Sequence, residues 1–277
     1  MMPYILRFLP LKPAQVARIL WWTMLSIYNK LDMITTPTET AASILRRQPV
    51  RVPIRAISCG VDTRRFAPRD HQNREEARAR FHIDRDKPLL IYVGRLDPEK
   101  RLDLLLEAFS LQHHPDARLV VGGYGSQGGA LVALARRLGI SDRVTFTGYI
   151  PQNEMPLLLA SADIFCMPSP EELQSIATLE AMASGKPILA ANARALPELV
   201  ANEVNGMLFT PGDARDAARA MDVLLGDPSA WPRLGQASLE RVQKHSLKVT
   251  IRQYEQVYRT LIPSMVLEEE PDRELMG

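Results

Sequence analysis

A chain of 277 residues, 46% of them hydrophobic and 24% charged, can bury a sizeable core and is long enough for two domains. A net charge of +2 argues neither for nor against an anionic partner, and the two cysteines, in separate expected strands, offer no metal-ligand spacing and fit a reducing compartment. The most hydrophobic early segment, Ile19 to Tyr28, is about half a membrane span, and the first residues lack a small-residue cleavage site after an apolar run, so neither a spanning helix nor a signal peptide is expected there.

In chain order, 14–30 has helical periodicity, 32–36 reads as a short strand, and Thr38 can cap a helix over 41–47. A further strand spans 54–58. The opening segment therefore reads as the tail end of an α/β unit, an incomplete N-terminal remnant over 1–66. Residues 67–87 are polar and are expected to form a linker with a short helix over 74–81. Strands over 89–93, 118–122, 144–147, 164–167 and 187–190 then alternate with helices over 99–111, up to 138, 154–160 and 176–183. A brief helix over 196–200, a strand over 206–209 and helices over 214–225 and 229–244 complete a Rossmann-like domain, 88–246. Such alternation implies an α/β fold with a mostly parallel sheet. A last helix, 247 to about 262, followed by an acidic tail within 247–277, carries Tyr254, Val257, Tyr258 and Leu261 at three- and four-residue spacing, so one side of it is expected to be packed, back toward the N-terminal part.

Charge is uneven along this plan. The first sixty residues hold Arg7, Lys12, Arg18, Lys30, Arg46, Arg47, Arg51 and Arg55 against Asp32 and Glu39, whereas 264–277 holds Glu268, Glu269, Glu270, Asp272 and Glu274 against Arg273. Two readings stand side by side: solvated surface with a frayed acidic tail, or a basic segment facing an anionic lipid surface with Trp21 and Trp22 at the interface.

The stretch 163–191 organises the candidate chemistry: a strand, a turn at Pro168-Ser169-Pro170, a helix from Ile176 closed by Gly185, and another strand. In parallel sheets, ligands bind in the loops beyond the carboxyl ends of strands. Gly94-Arg95-Leu96-Asp97-Pro98-Glu99-Lys100 follows one such strand. Arg95 and Lys100 can converge there on a group rich in phosphate oxygens, or they are exposed cations at a helix start. Gly122-Gly123-Tyr124-Gly125 matches a dinucleotide fingerprint only loosely and reads equally as a tight turn. Glu172 and Glu180 can border one cleft and accept hydrogen bonds from sugar or ribose hydroxyls; as alternatives they are a hydrolytic carboxylate pair, or a solvated loop residue and a capping-region residue. None of the five histidines (His71, His82, His113, His114, His245) is paired with a nucleophile, no metal pattern occurs, and no nucleic-acid module is recognisable.

Taken together, several ordered motifs resemble the retaining glycosyltransferases of the two-Rossmann-domain (GT-B) fold, sequence family four (glycosyl transferases group 1). They are Pro37-Thr38-Glu39, Ser58-Cys59-Gly60-Val61-Asp62-Thr63 with Phe66, Gly94-Arg95-Leu96 with Glu99-Lys100, Phe146-Thr147-Gly148, and Glu172 to Glu180 followed by Ala181-Met182-Ala183-Ser184-Gly185-Lys186-Pro187. The resemblance implies that Arg95 and Lys100 hold a donor diphosphate, Glu172 the transferred sugar and Glu180 the ribose. It also implies that the backbone amides of Gln174, Ser175 and Ile176 lie near sugar and phosphate, that Gly94, Gly123 and Gly125 shape the cleft, and that Gly148 and Tyr149 touch the base. The implied reaction is hexose transfer from a UDP-sugar or GDP-sugar with retention, without metal or other cofactor, in the cytoplasm or peripherally at the inner face of the membrane.

Two departures qualify this. Leu173-Gln174-Ser175 replaces the family's usual glycines, and Gln174 resembles a subset of diacylglycerol glucosyltransferases, which gives weight to a lipid acceptor. Family members also carry roughly another hundred residues before the position of Met1. The chain is therefore expected to be N-terminally shortened and weak or inactive alone, or to be a non-catalytic module that binds a nucleotide-sugar or is completed by a second polypeptide. A phosphorylase or an epimerase of the same fold is a weaker reading.

Overall fold

Short apolar runs between turn signals become the strands of this protein, and a computed structural model describes residues 13–68, 71–81 and 83–262. Arg7, Lys12, His82 and the acidic run 268–274 lie outside the described residues. The chain divides into two compact units, one of residues up to Ile57 together with those from Ile251, the other Ser58–Thr250.

The first unit holds α1 (Pro13–Tyr28), β1 (Ile34–Thr36), α2 (Glu39–Arg46) and β2 (Ile54–Ala56). The two strands pair in parallel, Ile34 opposite Ile54. Thr38 caps α2 as its sequence suggests, its hydroxyl accepting from the Ala41 N–H at 3.2 Å. On α1 Trp22 is 72% exposed, beside exposed Ile19 and Ile27, while Trp21 is half-buried. No described helix is long and apolar enough to cross a membrane.

The last helix, α11 (Leu247–Leu261), enters this unit from Ile251, where Tyr254 Oη lies 3.5 Å from Thr35 Oγ1 and Arg55 donates to Gln256 Oε1 at 3.2 Å. Its packed side is narrower than the spacing suggests: Val257 is buried and Tyr254 half-buried, but Tyr258 and Leu261 are exposed. Neighbouring positions on a helix point about 100° apart, so a narrow contact that buries Val257 leaves Tyr258 outside.

The larger unit is built on a parallel sheet of β3 (Leu89–Val93), β4 (Arg118–Gly122), β5 (Val144–Gly148), β6 (Ile164–Met167), β7 (Ile188–Ala191) and β8 (Gly206–Phe209), in the order β5-β4-β3-β6-β7-β8. Between the strands run α3 (His71–Arg80, before β3), α4 (Leu102–Leu111), α5 (Gly128–Arg137), α6 (Met155–Ser161), α7 (Ile176–Ala183) and α8 (Leu196–Leu199), with α9 (Ala214–Gly226) and α10 (Trp231–Val242) after β8. Strands β3, β6 and β7 are buried along their whole length, which is why they read as continuous apolar runs rather than alternating ones. Succession runs outward from β3 to one edge and from β6 to the other. The reversal therefore falls between β3 and β6, where a parallel sheet opens a crevice at its carboxyl end.

The polar stretch expected as a linker is not free. Arg78 of α3 is 1% exposed; its guanidinium donates to Ser161 O at 3.0 Å, to the carbonyls of Asp84, Arg85 and Lys87, and to Asp163 Oδ2 at 2.8 Å. Asp163 also accepts from Arg74 and from the Leu89 N–H, and its own N–H donates to Leu89 O at 2.9 Å. A long cation satisfied at every donor can be buried, which is how so polar a segment comes to pack. Removing one partner of a buried pair strands the other. Asp163→Ala should thus lower unfolding stability by about 3–5 kcal/mol in urea titration, whereas a loss below about 1 kcal/mol would mean that the pair behaves as a solvated one.

Candidate functional site

The β3/β6 seam decides which side chains meet. Lys100, in a 3₁₀ turn Pro98–Lys100 after β3, donates to Glu172 Oε1 in the loop after β6 at 2.5 Å, 72 residues away in sequence. Glu172 is 8% exposed and Lys100 is half-buried, so the pair is shielded from water and tightened by that shielding. Ser169, also buried, donates to Glu99 O at 3.0 Å and binds the same two loops together.

Helix α4 begins later than its periodicity suggests. Arg101 takes a left-handed conformation (φ 51°), so the 3₁₀ turn and α4 are separate elements and Lys100 does not sit on the helix. That break aims Lys100 back across the seam rather than along α4.

Arg95 occupies the rim, with its side chain 64% exposed, and is held by Asp97 Oδ2 at 2.9 Å and Glu99 Oε1 at 2.5 Å. Asp97 and Glu99 are thus its partners. Asp97 does not cap the turn; its Oδ1 accepts from Ser126 N–H and Oγ at 3.0 and 2.9 Å, and these bonds hold its pKa below the usual carboxylate range. Beneath the loop, the wholly buried Tyr92 donates its hydroxyl to Arg95 O at 2.8 Å. Burial first, then the charge of Glu172, push this phenol's pKa upward.

The glycines do more than leave room for a ligand. A Cβ on Gly123 would fall 1.8 Å from Gly94 O, and one on Gly125 would fall 2.5 Å from the Leu96 carbonyl carbon. They let the loops after β3 and β4 lie backbone on backbone, joined by Gly94 N–H to Gly122 O and Leu96 N–H to Tyr124 O. Gly148 ends β5, its carbonyl accepting from Gly123 N–H at 2.7 Å. Tyr149 then stands in the open, 65% exposed, 5.9 Å centroid to centroid from the equally exposed Tyr124. Sequence reasoning passed over Tyr124, though an aromatic between two loop glycines is a usable signal.

Across the seam Ser175 caps α7, its hydroxyl accepting from the Thr178 N–H at 3.2 Å. Ile176 is exposed at the start of that helix. Gln174 spends its side chain within the protein, accepting from the Cys59 N–H at 2.7 Å and donating to Ser58 Oγ at 3.0 Å. One turn into α7, Glu180 is half-buried, and its carboxylate makes no hydrogen bond to another described residue. Burial raises its pKa to about 7, against which the charge of Arg65 acts. Lys100 and Glu172 are brought into contact; Gly94, Gly123, Gly125 and Gly148 form one loop cluster at the carboxyl ends of β3–β5; Glu180 is on the neighbouring helix. Among the described residues no group of three or more His, Cys, Asp or Glu could hold a metal ion.

The family described as glycosyl transferases group 1 matches residues 73–241. The chain is 36% identical over 230 residues to a D-inositol 3-phosphate glycosyltransferase of Frankia alni, covering 79% of this chain and 55% of that one. It is 34% identical over 232 residues to a sulfoquinovosyl transferase of Arabidopsis thaliana, covering 82% and 44%. The chain thus spans about half the length of these relatives. Sucrose-phosphate synthase of Thermosynechococcus elongatus matches with a TM-score of 0.81 at 27% identity, over 95% of this chain and 67% of that one. Anabaena HepE in complex with UDP and glucose matches with a TM-score of 0.81 at 20% identity, over 90% and 69%, which shows a shared fold.

Glu180 makes a pH prediction. An unfolded chain titrates this carboxyl near 4.5 and the folded chain near 7, so the stability present below the lower value is lost as pH rises through the upper one. Glu180→Gln should match the wild type in thermal melts at acidic pH and melt higher at pH above 7; equal melting at both would mean that the carboxyl is not desolvated.

Proposed function

The chain belongs to the glycosyl transferases group 1 family, and from that premise we propose that the crevice at the β3/β6 seam binds a nucleotide diphosphosugar and serves hexose transfer to an acceptor. The observation that carries this reading is the Lys100–Glu172 pair at 2.5 Å, a cation and a carboxylate joined where the strand order reverses. Arg95 and Lys100 bind the diphosphate, Glu172 the hydroxyls of the transferred sugar, and Glu180 the ribose. Tyr149, with Tyr124 beside it, faces the base. Gly94, Gly123, Gly125 and Gly148 hold the loops that shape the cleft, and the backbone amides of Gln174, Ser175 and Ile176 approach the sugar and phosphate.

In the reaction, the bond from the anomeric carbon to the diphosphate oxygen breaks and its electron pair stays on the leaving diphosphate. The acceptor oxygen bonds to the anomeric carbon on the same face, which is what retention requires, and its proton passes to the departing phosphate oxygen. Charge thus grows on the diphosphate, and cations already fixed beside it lower the barrier because they need no rearrangement. Lys100 has three donors, so it can keep Glu172 and still donate to a phosphate oxygen. Arg95 turns from Asp97 and Glu99 as the donor binds, before the chemical step; Arg95 and Glu99 are exposed and Asp97 half-buried with Ser126 as a second partner, so the exchange costs little. A lipid acceptor is supported by the loop sequence around Gln174, although the Gln174 amide itself is bound to Ser58 and Cys59. A site of action in the cytoplasm, or peripherally at the inner face of a membrane, belongs to the same proposal.

Calorimetric titration of the full chain with UDP and GDP tests the donor site. Arg95→Ala should weaken binding about tenfold or more, since a hydrogen bond to a charged group contributes about 1.5–3 kcal/mol. Lys100→Ala should cost more, because it also leaves the buried Glu172 carboxylate without its cation. A folded wild-type chain that binds neither nucleotide would remove the proposal.

A further inference from the structure

The loop 168–175, between β6 and α7, meets the candidate site twice, at the Glu172 carboxylate and at the start of α7, and its two halves are held by different means. The first half rests on the strand-end loops beside it. Ser169 donates to Glu99 O at 3.0 Å, Lys100 donates to Glu172 Oε1, and Glu172 O accepts from Ala195 N–H at 3.1 Å. The Glu171–Arg194 pair, at 3.3 Å with both side chains exposed, adds little. Beyond Glu172 a neutral side chain takes over. Gln174 is half-buried; its Oε1 accepts from the Cys59 N–H at 2.7 Å, and its Nε2 donates to Ser58 Oγ at 3.0 Å.

The segment that Gln174 grips is itself fastened. Ser58 is buried, and its hydroxyl also accepts from Gly60 N–H at 3.2 Å. Gly60 (φ 81°) packs so closely that a Cβ there would fall 3.2 Å from Leu247 Cα. Val61 donates its N–H to His245 O and accepts from Leu247 N–H, both at 2.9 Å. Residues 58–61 are therefore anchored to 245–247, and Gln174 ties the ligand loop to that anchor. On its other side Gln174 directly precedes Ser175, the residue that caps α7.

We propose that Gln174 is a positioning residue for the sugar end of the donor: its side-chain bridge to Ser58 and Cys59 sets the path of the backbone from Gln174 to Ile176, whose amides approach the sugar and the phosphate. This rests on the donor reading above. A backbone amide contributes most when it already points at the group it will bind. Without the bridge, the loop must be ordered as the ligand arrives, and that entropy is subtracted from the affinity. The nucleoside end, at Tyr149 and the loops after β3–β5, gains nothing from the bridge, so its effect grows with what the ligand carries beyond the nucleoside.

Calorimetric titrations of the full chain with UDP and with UDP-glucose, well below the melting temperature, test this. Methionine keeps the length of the side chain without its amide. Gln174→Met should weaken UDP-glucose binding about tenfold, the order that two neutral hydrogen bonds can supply, and UDP binding by less. Lost stability alone would not change the ratio of two affinities measured on a folded chain. A glutamate can accept from the Cys59 N–H and from the Ser58 hydroxyl turned round to donate, so Gln174→Glu should restore the ratio, its charge opposing both ligands alike. Ser58→Ala should cause a smaller loss, and should add little in a double variant with Gln174→Met, because the two residues share one bond. Equal losses for UDP and UDP-glucose in Gln174→Met, a ratio that glutamate leaves unrestored, additive losses in the double variant, or unchanged affinity would each overturn the inference. If Glu172→Gln weakens UDP-glucose binding while Gln174→Met binds like the wild type, the donor site stands and the role of Gln174 falls; if the wild type binds neither ligand, both fall.

Discussion

The neighbouring of β3 and β6 in one parallel sheet is the constraint on which the site depends. Each end of that seam is closed by a buried carboxylate. At the amino end Asp163 receives Leu89 N–H, Arg78 and Arg74; at the carboxyl end Glu172 receives Lys100. The first holds the strands level with one another, and the second brings together two loops that the chain separates by about 70 residues. A slip of β3 against β6 would break the Leu89–Asp163 bonds and part Lys100 from Glu172, so the two buried carboxylates enforce the same alignment.

Around this seam the loops are stiffened mostly by backbone contacts. Gly123 and Gly125 admit the β3 loop at a distance that no side chain would permit, Tyr92 supports Arg95 O from below, and Asp97 reaches over to Ser126. A site whose strand-end loops rest on one another needs little reordering when a ligand arrives, which is where preorganised electrostatic stabilisation comes from. The movable parts are side chains at the rim: Arg95, Tyr124 and Tyr149 are all exposed. Glu180 sits between these extremes, half-buried so that its proton affinity rises, and without a hydrogen bond from its carboxylate to another described residue.

Much of this was legible beforehand. The runs 89–93, 118–122, 164–167 and 206–209 lie where the strands are, because buried parallel strands have apolar sequences bounded by turns. Thr38 was readable as a cap. Less legible were features with non-local partners. The start of α4 was placed too early, since nothing in 98–102 announces that Arg101 adopts a left-handed turn. The burial of Arg78 within the polar stretch 67–87 is not legible locally, because two of its partners, Ser161 and Asp163, lie 83 and 85 residues away. For Gln174 the sequence suggested a backbone amide near sugar and phosphate, but nothing local announced that its side-chain amide is tied to Ser58 and Cys59, 115 positions earlier in the case of Cys59.

By itself the sequence determined the alternation of strands and helices, the α/β class, and which residues had the chemistry to meet an anion or a sugar. It could do so because those properties follow from local periodicity and from side-chain functional groups. Only the tertiary structure decided that Lys100 faces Glu172, that Arg95 is held by Asp97 and Glu99, that Tyr124 meets Tyr149, and that Arg65 reaches Gln152. Those pairings depend on the order of strands in the sheet. That order is set by how separate helices and strands bury one another's surfaces, and no stretch of chain short enough to show a period contains it.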